Sequence, residues 1–130
     1  MSRATAAIFA FMSVAACQPD ETLTVYGGEG IWHLNRINGQ EFDASASIEL
    51  HNNGKITGQG PCNHFQGTVA VPYPWFKVDN LQITGMACED MSQETQFWVA
   101  LTSMELVEIS GTTLILSNEA EEEMIFSKVK

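Results

Sequence analysis

The stretch Gly58-Gln59-Gly60-Pro61-Cys62-Asn63-His64-Phe65-Gln66-Gly67 constrains most strongly what this chain can fold into. Glycine this dense, joined by a proline, excludes a helix interior and is too frequent for an ordinary strand, so the backbone must turn sharply or bulge. Further along, Thr84-Gly85-Met86-Ala87-Cys88 answers it, just ahead of a segment with helical spacing. If Cys62 and Cys88 are bonded, the middle of the chain becomes one covalent loop around this corner.

A chain of 130 residues allows one domain with a small core, for which a covalent staple is useful. Apolar residues make up 45% and charged residues 17%, the balance of a folded domain and not of a disordered tail. Sixteen acidic residues against six basic ones give a formal net charge of -10. Such a surface repels phosphate backbones and anionic lipid patches, which disfavours nucleic-acid partners. Solubility is the plain reading of the charge, and docking onto a basic partner is the sharper one.

The N-terminus reads as a targeting segment. Met1-Ser2-Arg3 is a minimal positive start, and residues 4–16 carry no charge. At helical rise that run spans about 20 Å, short of the ~30 Å hydrocarbon core, which makes it a signal-peptide core and not a spanning helix. It ends in Val14-Ala15-Ala16-Cys17, which resembles the lipobox of bacterial lipoproteins. The resemblance implies cleavage before Cys17 and acylation of its thiol, so that lipid chains tether the domain to a membrane. Gln18, in the place where aspartate retains such lipoproteins at the inner membrane, points to the outer membrane, facing the periplasm. Residues 1–16 are then the signal peptide, 17–29 a polar and glycine-rich tether, and 30–130 the folded domain. Leu23, Val25 and Tyr26 leave open a short edge strand within the tether.

From residue 31 onward the hydrophobic pattern has period two. Strands are expected at 31–37, 45–51, 55–58, 65–71, 75–83 (interrupted near Asp79-Asn80), 105–109, 112–116 and 122–129. Asn38-Gly39 and Asn52-Asn53-Gly54 supply the turns. One segment changes period: Asp90 with Gln93 resembles a capping pair, and Phe97, Trp98, Leu101 and Met104 form a helical stripe. The expected fold is α+β and mainly β, a small antiparallel barrel-like sheet of seven or eight strands that closes on itself with one helix packed on it.

Several residues together carry a family likeness: Trp32, Leu34, Ile37 and Gly39 at the opening, then Gly58, Gly60, Cys62, Asn63, Phe65 and Gly67. Thr84, Met86 and Cys88 follow, with Glu94, Phe97 and Leu101 on the helix and Gly111, Leu114 and Leu116 near the end. Over about residues 30–128 this resembles the META domain family, the HslJ-like heat-shock proteins. The resemblance implies a small barrel-like fold in exported or membrane-anchored bacterial proteins linked to heat stress, antibiotic tolerance and motility, with no defining enzymatic activity. Pro61 and Gly85 depart from the family pattern at the central corner.

The side chains give little support to catalysis. Once Cys17 is acylated, Cys62 and Cys88 are the remaining thiols, and an exported domain meets an oxidising compartment. A bond between them closes a loop of about 25 residues, worth roughly 3 kcal/mol in the chain-entropy model. Free buried thiols, a redox pair or a metal site are the alternatives, although the cysteines lack C-x-x-C spacing. His33, His51 and His64 are not at helical metal-ligand spacing, and no G-x-S-x-G elbow occurs. The run Glu119 to Glu123 reads as a solvated hairpin tip. No metal, cofactor or catalytic residue is assigned. The expectation is a lipid-anchored, non-enzymatic envelope protein acting in stress tolerance or envelope maintenance through protein or small-ligand contacts. Two alternatives stand beside it: an inhibitor that inserts the Tyr73-Pro74-Trp75 corner into a lysozyme or protease, and a carrier of an apolar ligand.

Overall fold

Alternation decides which face each strand buries. In β1 (Gly30–Ile37) Trp32, Leu34 and Ile37 point inward, and in β3 (Ser47–Leu50) Ile48 and Leu50 do the same. A register irregularity between Leu34 and Arg36 lets Ile37 rejoin the inward row. The computed structural model describes residues 27–128. The expected signal peptide, Cys17 and the tether up to residue 26 lie outside the described residues. Of the residues 27–29 expected to belong to the tether, Gly28 is buried and its carbonyl accepts the Trp32 indole N–H at 2.9 Å.

The remaining elements are β2 (Gln40–Glu41), β4 (Lys55–Gln59), β5 (His64–Thr68), β6 (Asp79–Ile83), α1 (Ser92–Ser103), β7 (Leu106–Ser110), β8 (Thr113–Ser117) and β9 (Glu123–Lys128). All pairings are antiparallel, in the order β6-β5-β4-β3-β1-β9-β8-β7, with β2 beside β1. The fold is therefore α+β and mainly β, as the sequence suggests. Asn38 and Gly39 both have positive φ, 51° and 79°, the conformation of a tight hairpin turn.

Closure comes about differently from the expectation. Among the described residues β6 and β7, the two ends of the sheet, do not pair with each other, and the sheet curls as a half-barrel. The strand expected at 75–83 starts only at Asp79, because the chain first crosses to the opposite end of the sheet. There Trp75 bridges Leu106, the Val107 N–H donates to the Pro74 carbonyl, and the Phe76 N–H donates to the Glu105 carbonyl, both at 2.8 Å. Val69 to Val78 thus forms a strap across the open side. Prolines 72 and 74 cannot donate ladder hydrogen bonds, and a cis bond joins Tyr73 to Pro74.

The core is one cluster drawn from sheet, strap and helix, with Trp32, Phe97, Leu101, Leu114, Leu116 and Phe126 fully buried. Each such side chain contributes about 1.5–3 kcal/mol by leaving water. The helical stripe seats Phe97, Leu101 and Met104 as expected and leaves Trp98 half-buried. The start of the helix differs in detail. Met91 is the capping residue and its side chain makes no capping bond, while the Asp90 carboxylate accepts the Ser92 N–H at 2.9 Å. Hydrogen bonds from the Ser92 backbone and side chain hold the Asp90 carboxyl below its ordinary pKa, with desolvation acting the other way.

Candidate functional site

The glycine-rich corner exists to approach a buried carboxylate. The Gly60 N–H donates to the Asn63 carbonyl at 2.7 Å, folding residues 60–63 into a tight turn. The turn aims the N–H groups of Cys62 and Asn63 at the first turn of α1. Glu94 receives them there: Oε2 accepts from Cys62 at 2.7 Å and from Asn63 at 3.1 Å, and Oε1 accepts from Asn63 at 3.2 Å. Oε1 also accepts the Trp98 indole N–H at 2.6 Å, one helical turn along.

Glu94 is only 2% exposed, and neither ion pair found among the described residues includes it. Oriented N–H dipoles therefore offset the cost of burying this acid, as in the backbone nests that bind anions. Gly60 is glycine for space. A Cβ there would lie 2.6 Å from Glu94 Oε1 and 3.0 Å from the Trp98 ring.

A second hub lies beside it. The Asn63 side chain grips the backbone of Met86 at both ends: Oδ1 accepts the Met86 N–H at 2.7 Å, and Nδ2 donates to the Met86 carbonyl at 3.2 Å. The Thr84 hydroxyl donates to Asn63 Oδ1 at 2.8 Å and accepts the His64 N–H at 3.1 Å. Cys62 and Cys88 are joined, with Cα atoms 6.1 Å apart. The loop of residues 84–91 is thus fixed at Met86 by an amide clamp and at Cys88 by a covalent bond.

The structure brings Gly60, Cys62, Asn63, Thr84, Met86, Cys88 and Glu94 into this one constellation. Phe65 borders it, its ring edge-on to Trp98 with centroids 4.9 Å apart. Gly58 and Gly67 serve the sheet nearby. A Cβ on Gly58 would lie 2.1 Å from the Ser47 carbonyl and 2.7 Å from the Phe65 ring that covers it across the strand pair, and one on Gly67 would lie 2.9 Å from the Asp79 carbonyl. Trp32 and Gly39 stand apart, Trp32 in the core and Gly39 in the β1–β2 turn.

The role of Trp98 escapes a reading of the apolar stripe, which takes it as core. The signal available in the sequence is its four-residue spacing from Glu94. Among the described residues, no group of three histidine, cysteine, aspartate or glutamate side chains is placed to hold a metal. His51 bonds to the Thr57 hydroxyl at 2.8 Å on the outer sheet face. A shallow depression of about 390 Å³ also opens on that face, lined by Thr57, His64, Gln66, Gln82, Ile83 and Thr84 among others.

The family model of the META domain matches residues 21–130. The chain belongs to the META domain family. An NMR structure of a protein from Burkholderia xenovorans is similar to this META domain with a TM-score of 0.65 at 19% identity, covering 83% of this chain and 87% of the other. The crystal structure of a DUF4847 family protein from Bacteroides vulgatus ATCC 8482 gives 0.63 at 16% identity, covering 84% and 99%. Both likenesses are of fold. No curated protein matches the chain.

Proposed function

We propose that this META domain protein is a non-enzymatic, lipid-anchored component of the cell envelope that works through contacts of its surface, in stress tolerance or envelope maintenance. The carrying observation is how the buried acid is used. The oxygens of Glu94 accept N–H groups of the domain itself, so the carboxylate fixes the corner and the loop beside it. A group engaged in this way holds the shape of the surface above it. The anchor rests on Val14-Ala15-Ala16-Cys17 at the end of a signal-length apolar run.

The test is the intact mass of membrane-extracted protein, with and without reduction and alkylation. The expected result is a chain beginning at Cys17 with acyl chains attached and two thiols alkylated only after reduction. An unacylated chain that still carries its leader would overturn the anchored reading. A second reading, hydrolase inhibition, is favoured by Trp75, which is 55% exposed although its backbone is held against β7. It requires that the purified protein inhibit a lysozyme or protease and that Trp75→Ala abolish the effect. The packing of Phe97 against Phe65 and Trp98, with ring centroids 6.2 and 4.8 Å apart, speaks against the carrier alternative.

A further inference from the structure

The loop that the corner fixes is apolar, exposed and acidic at once. Residues 82–92 are exposed throughout, and Met86 is 58% exposed even though Asn63 holds its backbone at both ends. Met91, the residue just ahead of α1, is exposed as well. A connection without regular structure ordinarily frays. This one is held by a disulfide, by the Asn63 clamp, and by the Cys88 N–H on the Met91 sulfur at 3.5 Å. Side chains displayed on a backbone already ordered lose little entropy when they bind, which is the physical value of pre-organisation. Methionine adapts its shape to an apolar partner, and exposed apolar patches mark contact surfaces.

Charge selects the partner. Glu89 and Asp90 lie within the loop, beside Met91. Between Lys77 and Lys128 the sequence holds no lysine, arginine or histidine, while carboxylates recur from Asp79 to Glu123. An anionic membrane surface is repelled by a loop that displays the carboxylates of Glu89 and Asp90 on a chain of net charge -10. A second copy in a two-fold pair would set Glu89 and Asp90 against or near their own equivalents, which like-charge repulsion disfavours.

We infer that the surface of Met86 and Met91, with Glu89 and Asp90 between them in the fixed loop, is a docking site for a cationic amphipathic segment of another polypeptide. The apolar side of the segment lies on the methionines and its basic side chains meet the two carboxylates. This rests on reading the fixed corner as a contact surface, and it names the partner class.

The experiment uses the full chain carrying Cys17→Ser, exported so that the disulfide forms. It is titrated by calorimetry and amide NMR with a leucine–lysine amphipathic helical peptide, and with a leucine–glutamate peptide of the same pattern. The expected result is saturable binding of the lysine peptide alone, with shift changes concentrated at residues 83–99 and affinity falling as salt rises. The pair Met86→Ser with Met91→Ser, and the pair Glu89→Gln with Asp90→Asn, should each weaken binding about tenfold or more. Selective reduction of Cys62–Cys88 should weaken it too.

Equal binding of both peptides at residues 83–99 would refute the partner class and leave the contact surface standing. Unchanged affinity after reduction would refute the role of the fixed loop. Absence of binding at millimolar peptide, or shifts centred on Glu119 to Glu123, would overturn the site itself.

Discussion

Replacing Glu94 by glutamine is the sharpest test of the corner, because it keeps the shape of the side chain and removes half of its accepting capacity. In the native protein Oε1 takes the Trp98 indole N–H and Oε2 takes the Cys62 N–H, at 2.6 and 2.7 Å, while the Asn63 N–H lies between the two oxygens. A glutamine places an NH₂ group in one of those positions. In one orientation the indole N–H faces another donor, and in the other the Cys62 N–H does. Stranding one buried donor costs about 1–3 kcal/mol, and the bonds that remain fall from charge-assisted to neutral strength, for a total of about 2–4 kcal/mol. In a domain of this size that corresponds to a fall in melting temperature on the order of 10–25 °C. Urea unfolding of oxidised Glu94→Gln, followed by tryptophan fluorescence and far-UV circular dichroism, should show a lower midpoint at unchanged slope. The Trp98 indole proton should also move upfield. A midpoint corresponding to less than about 0.5 kcal/mol would refute the clamp as a source of stability.

Further outcomes follow from the same geometry. Cys62→Ser with Cys88→Ser should lose about 3 kcal/mol in denaturant and raise hydrogen exchange most at residues 84–91; uniform exchange would contradict a local role. Gly58→Ala should cost about 1–3 kcal/mol or more, since its Cβ meets the Ser47 carbonyl, whereas Gly85→Ala, with nothing within 4 Å, should be neutral in the same thermal melt. Asp90 has its carboxyl pKa lowered by bonds from Ser92, so its contribution is present above the ordinary aspartate range and is lost as pH falls through the lowered value. Asp90→Asn should therefore be less stable than the parent at neutral pH and converge with it in strong acid, as read by melting temperature across that range.

The strand pattern was legible because half-buried strands must alternate, and Trp32, Leu34, Ile48, Leu50, Leu114 and Leu116 do so. The helix was legible from the change of period at Phe97, Leu101 and Met104. The closing strap was not. Prolines 72 and 74 announce a break, but nothing local says that the chain will cross to Leu106 before it returns to β6. The corner was visible as a dense set of glycines, yet its purpose was hidden. Periodicity scores an acid as a surface residue, so Glu94 could be picked out only through the family likeness, and its burial depends on N–H groups more than thirty positions earlier.

The strap has a consequence for the edge of the sheet that it covers. Val107 and Ile109 would direct their N–H groups outward from the last strand of the sheet, but Pro74 and the Tyr73 hydroxyl already occupy them. The chain thus carries its own mock neighbour for β7, one whose prolines prevent it from recruiting another strand in turn. A proteolytic nick between Pro72 and Trp75 would free that edge as a template for foreign strands. Native mass spectrometry should then detect assemblies built edge to edge, while the uncut chain remains a monomer.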